Sequence, residues 1–97
     1  MLDKMKQLME MKRQAEELKK QLEATLIEVS DVKGIAITID GAQNFKSIQI
    51  DSVLVQDNNK AALEAGLLKA VNAAIAKSQR MATQKMQEMT GLNIPGM

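Results

Sequence analysis

Ninety-seven residues with a mass of 10.7 kDa make one small domain, and a chain this short keeps a thin stability margin unless it associates. It holds no Cys, His, Trp or Tyr and a single Phe, yet is 45% hydrophobic through Ala, Leu, Ile, Val and eight Met; disulfides, ordinary zinc sites, thiolate or imidazole catalysis and aromatic stacking platforms are thereby excluded. Thirteen Lys and Arg against twelve Asp and Glu leave a net charge of +1, so a polyanionic partner is legible only in where the charges fall.

The opening Met1-Leu2-Asp3-Lys4-Met5 lacks the apolar run of a secretory leader, and nowhere do eighteen apolar residues follow one another. A cytoplasmic protein with no membrane partner is expected. Residues 2–23 contain no Gly or Pro and place Leu8, Met11, Ala15, Leu18 and Leu22 at spacings of 3, 4, 3 and 4. That is a heptad seam on a helix, packed either on its own domain or on another helix.

From Ala24 to Val55 the chain turns to alternating β-branched residues. Leu26 to Ser30 reads as a first strand and Asp31-Val32-Lys33-Gly34 as a turn. Ile35, Ile37 and Ile39 mark the buried face of a second strand, Asp40-Gly41 opens the next turn, and Phe45 to Ile50 forms a third. Short loops make the three an antiparallel meander covered on one side.

Asp57, Asn58 and Asn59 offer helix caps, and from about Lys60 to Met89 the chain has no Pro and one Gly, Gly66. Thirty helical residues make a rod of roughly 45 Å, too long for a globule of this size to wrap. Its apolar arc, Leu67, Leu68, Val71, Ala74, Ile75, Ala82, Met86 and Met89, continues nearly to the end. A second copy is the simplest cover for the far half, so a homodimer with projecting helices is expected. Gly91 and Pro95 end the helix and leave a short tail.

By segment, residues 1–23 carry six basic and five acidic groups, 24–56 two and four, and 57–97 five and three. In the first helix Asp3, Glu10, Glu16 and Glu17 each precede a Lys or Arg by three positions, which cancels most of its charge locally. The last helix differs. Lys69, Lys77, Arg80 and Lys85 lie between Glu64 and Glu88 with no acid among them, and at about 100° per residue Lys69, Lys77 and Arg80 fall within roughly 80° on the side away from the apolar arc. Doubled in a dimer, that face could span several phosphates of a duplex. No calcium loop, phosphate-cradling glycine loop or carboxylate pair in a cleft is evident, so no metal, cofactor, small-molecule substrate or enzymatic activity is expected.

The order helix, three-stranded meander and long helix, the block Leu67-Leu68-Lys69-Ala70-Val71-Asn72-Ala73-Ala74-Ile75-Ala76-Lys77, the strand Gly34-Ile35-Ala36-Ile37-Thr38-Ile39-Asp40-Gly41 and the ending Met89-Thr90-Gly91 with Pro95-Gly96 resemble the YbaB/EbfC family of bacterial nucleoid-associated proteins. The resemblance spans essentially residues 1–97 and implies an α-β-β-β-α homodimer of the α+β class. It further implies binding of duplex DNA with little or no sequence preference in the nucleoid. The implied DNA-binding residues are Lys12, Arg13, Lys19 and Lys20 on the first helix and Lys77, Arg80 and Lys85 on the last; Lys69 joins them from the charge pattern. Ala36 stands where the family often has Lys, and Lys69 and Ala73 make the last helix more basic than is usual. A second reading from the helices alone is a protein-interaction scaffold or prefoldin-like holdase whose Met- and Leu-rich seams hold apolar segments.

Overall fold

A computed structural model describes residues 2–56 and 58–90. Its elements in chain order are helix α1 (Leu2–Ala24), strands β1 (Leu26–Val32), β2 (Ile35–Asp40) and β3 (Phe45–Ile50), a short helix α2 (Ser52–Gln56) and the long helix α3 (Lys60–Thr90). The strands form one antiparallel sheet in the order β1-β2-β3, so the expected α+β meander between two long helices is present. The tail read from Gly91 onward lies outside the described residues, as does Asp57.

Two features differ from the sequence reading. Asp31 and Val32 belong to β1 rather than to the turn, because β1 takes three steps from Val29 to Val32 while β2 takes two from Ile37 to Ile35. The extra residue is a β-bulge, and it lets Val29 and Val32 both face the core despite their odd spacing. The residues after β3, read as the end of the strand region, form α2 instead. The Asp51 carboxylate accepts the Val53 N–H at 3.1 Å, and the Asp51 N–H donates to the Gly34 carbonyl at 2.8 Å. Gly34, at φ 86°, sits in the left-handed region and lies against Leu54, with no room for a Cβ.

The core lies between α3 and the inner face of β1 and β2. Val29, Ile35, Ile37 and Ile39 are buried against Ala70 and Ala74. On α3 the buried positions are small ones at intervals of four, Ala70, Ala74 and Ser78, in line with the half-buried Gly66, while Leu67 and Ile75 of the expected arc are only half-buried and Leu68 is 65% exposed. This ridge brings the helix axis close to the sheet, and a Cβ on Gly66 would come within 3.3 Å of Ile35. At its end the buried Ser78 hydroxyl donates to the Asp40 carbonyl at 2.8 Å.

Beyond Ser78 the second half of α3 leaves the sheet, and α1 accompanies it. The end of α1 is tied to the β2–β3 turn: the Gly41 N–H donates to the carbonyls of Leu22 at 2.8 Å and Thr25 at 3.0 Å. A Cβ at Gly41 would meet the Leu22 carbonyl at 3.0 Å, so glycine is what permits the approach. The result is elongated, with extents of 66 × 27 × 17 Å and a radius of gyration of 18.4 Å, against about 13 Å for a compact chain of this size.

Candidate nucleic-acid interface

The projecting half of the molecule consists of two helices with little of their surface covered. On α1 only Leu18 and Leu22 are partly buried, and Leu8, Met9 and Met11 of the seam region stand 65–71% exposed. The heptad seam therefore meets its own chain only at its C-terminal end.

The cations on these helices fall into two groups. Arg13 is held by Glu10 through two hydrogen bonds one turn apart, which raises the guanidinium pKa and lowers that of the Glu10 carboxyl, the hydrogen bonding acting ahead of the charge attraction. Lys19 faces Glu23 at 4.0 Å and Lys85 faces Glu88 at 3.9 Å. Lys77 is bound to Asp31 of β1 at 2.9 Å. In contrast, Lys12, Lys20, Lys69 and Arg80 form no ion pair among the described residues.

Helical geometry sorts them further. Lys69 and Arg80, eleven positions apart, fall about 20° from one another, whereas Lys85 lies about 140° from Arg80, on the strip that also carries Ser78 and Ala74. The expected site residues on α3 are thus not brought onto one face: Lys69 and Arg80 share it, Lys77 sits at its border and is neutralised, and Lys85 is elsewhere. The same outer face presents Ala76, Gln79, Thr83, Gln84 and Gln87 around Arg80, all neutral. Their helical spacing is present in the sequence, but neutral side chains carry no charge signal there.

Among the described residues no group of three or more acidic or sulfur or imidazole ligands is placed to hold a metal ion, and no helix is long and apolar enough to cross a membrane. What the outer face of α3 offers is two exposed cations, Lys69 and Arg80, in line on one helix and with no ion-pair partner among the described residues.

The sequence model of the YbaB/EbfC DNA-binding family matches residues 1–93. The chain belongs to this family. A nucleoid-associated protein of Moorella thermoacetica is 34% identical over 94 residues, covering 95% of this chain and 90% of the relative. One from Chloroflexus aggregans is 33% identical over 88 residues, covering 90% and 88%. The crystal structure of an uncharacterized protein from Helicobacter pylori superposes with a TM-score of 0.74 over 86% of this chain and 88% of that one at 19% identity, which shows that the fold is shared. The YbaB/EbfC sequence pattern and the α-β-β-β-α architecture thus coincide in one chain.

Proposed function

We propose that this YbaB/EbfC chain acts, as a single domain over residues 1–97, as a non-enzymatic nucleoid-associated protein of the cytoplasm that binds duplex DNA as a homodimer, mainly through phosphate contacts and with low sequence preference. The observation that carries the reading is the outer face of α3, where Lys69 and Arg80 lie in line with no acid paired to either among the described residues. Lys12 and Lys20 of α1 are the corresponding cations on the other projecting helix. The family is named for DNA binding, and the relatives are named as nucleoid-associated; those names support the partner, and the free cations support the mode of contact.

Phosphate contact predicts affinity that is nearly independent of base sequence and steeply dependent on salt, since each neutralised phosphate releases condensed counterions. The double substitution Lys69→Ala with Arg80→Ala should weaken binding to two unrelated duplexes by a similar factor and flatten the dependence of log affinity on log salt by about 0.9 for each phosphate that is no longer neutralised. Fluorescence anisotropy measures both. Weakening on one duplex alone would instead assign these residues to base recognition, and no weakening on either would remove that face from the interface.

A homodimer is supported by what the chain leaves uncovered. Helix α3 packs on β1 and β2, and every β3 residue is exposed, with Phe45, Ile48 and Ile50 presenting apolar surface; Leu68 of α3 is exposed as well. A second copy would cover this shelf and the open seam of α1 together. The scaffold or holdase alternative would use the same apolar surfaces for other proteins, and a mass by light scattering near twice 10.7 kDa favours self-association over an open client surface.

A further inference from the structure

The ion pairs among the described residues are of three kinds, one of them the local Lys46–Asp40 contact across the β2–β3 turn. Arg13 with Glu10, Lys19 with Glu23, Lys60 with Glu64 and Lys85 with Glu88 join residues within one helical turn and follow from helical spacing alone. Lys77 with Asp31 spans 46 positions and depends on the tertiary fold. The β1 bulge sets it up: by inserting one residue before Val32, it keeps Val29 and Val32 on the core and leaves Asp31 at the rim of the sheet, where α3 crosses with Lys77. The Lys77 Nζ lies 2.9 Å from the Asp31 carboxylate, and both side chains are substantially exposed, at 37% and 43%.

Lys77 lies about 60° from Arg80 and 80° from Lys69 around α3, at the border of the cationic face. It could reach a phosphate only by leaving Asp31, and that exchange would place an unpaired carboxylate beside the phosphate. The attraction to one phosphate is then offset by a new repulsion, whatever the small intrinsic strength of an exposed ion pair.

We propose that Asp31 limits the affinity of the protein for duplex DNA by withholding Lys77 from phosphate contact, an inference that rests on the duplex-binding reading above. Asp31 is an affinity-limiting residue off the cationic face itself. In this arrangement Lys77 stays with Asp31 while Lys69 and Arg80 carry the contact.

The test is a salt series of anisotropy titrations on one duplex with the full chain and the variants Asp31→Asn, Lys77→Ala and the two combined. Asn preserves the size and the hydrogen-bonding oxygen of Asp31 while removing its charge. Asp31→Asn should tighten binding roughly three- to tenfold near 0.1 M salt and steepen the salt slope by about 0.9 for each chain that touches the duplex. Lys77→Ala alone should weaken binding through the carboxylate it leaves unpaired while keeping the wild-type salt slope, since Lys77 meets no phosphate in the wild type, and the combined variant should return to near the wild-type affinity and slope. Asp31→Ser, a second route to the neutral residue, should tighten binding in the same direction. Wild-type binding with Asp31→Asn unchanged overturns this inference alone. An equal steepening of the salt slope by Asp31→Asn in the Lys77→Ala background also overturns it, because Asp31 would then act as a distant charge rather than through Lys77. If neither wild type nor Asp31→Asn binds, the duplex-binding reading falls and takes this inference with it.

Discussion

Asp40 organises the β2–β3 turn through its carboxylate and joins it to α3 through its carbonyl. Its side chain is buried, and one oxygen accepts the N–H groups of Ala42 at 2.8 Å and Asn44 at 2.9 Å, while the Asn44 amide and Lys46 reach the other at 3.1 and 3.6 Å. Its own carbonyl receives Ser78. Burial alone would raise the carboxyl pKa; the hydrogen bonds from Asn44 and Ala42, aided by Lys46, outweigh it and hold the group below the usual carboxylate range. Because the folded value is depressed, the stabilisation is complete above the unfolded carboxylate pKa of about 3.9 and is lost as the pH falls through the folded value. Thermal melts between about pH 6 and pH 2.5 should therefore show a steeper acid loss for wild type than for Asp40→Asn, with the difference confined to the acid side of about pH 4. Asp40→Ala, which leaves the turn N–H groups without their acceptor, should cost about 1–3 kcal/mol in urea unfolding at neutral pH. The next residue is as constrained: Gly41→Ala places a methyl against the Leu22 backbone and should destabilise by about 1–3 kcal/mol, with a loss of helical circular dichroism if α1 detaches.

Among the elements, α3 explains the most. Its ridge of Gly66, Ala70, Ala74 and Ser78 seats it on β1 and β2, so Ala74→Leu should cost about 1–3 kcal/mol or more by forcing the helix off the sheet, measured by urea unfolding. The long helix, β2, β3 and the first part of β1 were legible in the sequence because they repeat an apolar pattern at 3.6 or 2 residues. The ridge was not, since small residues contribute little to an apolar arc and Leu67, Leu68 and Ile75 dominate it instead. The bulge in β1 was hidden for a related reason: Asp31 beside Lys33 and Gly34 looks like the start of a turn, and nothing local says that Val32 must return to the core. Helix α2 reads as strand because Val53 and Val55 alternate. The candidate site was legible as a set of cations but not as a surface. Pairs within a turn, such as Arg13 with Glu10, follow from spacing, whereas Asp31 and Lys77 meet only after α3 has been laid across the sheet.

At the scale of the whole molecule, an extent of 66 Å and an uncovered β3 leave apolar surface that one copy does not bury. Ile48, 48% exposed, sits within that shelf, so Ile48→Glu should leave the fold of each chain intact while shifting the mass by light scattering from near twice 10.7 kDa to that of one chain. An unshifted dimer would move the interface to another surface, with the open seam of α1 the next to test. Under the proposed function a dimer would double the cations on the outer face of α3, and the salt dependence of binding scales with the number of phosphates met. The most direct test of the central claim is a salt-series titration of the wild-type protein on two unrelated duplexes. Similar affinities on both, falling steeply and in parallel between about 50 and 200 mM salt, are the predicted result; strong preference for one duplex with a shallow salt dependence, or no binding to either, would contradict it.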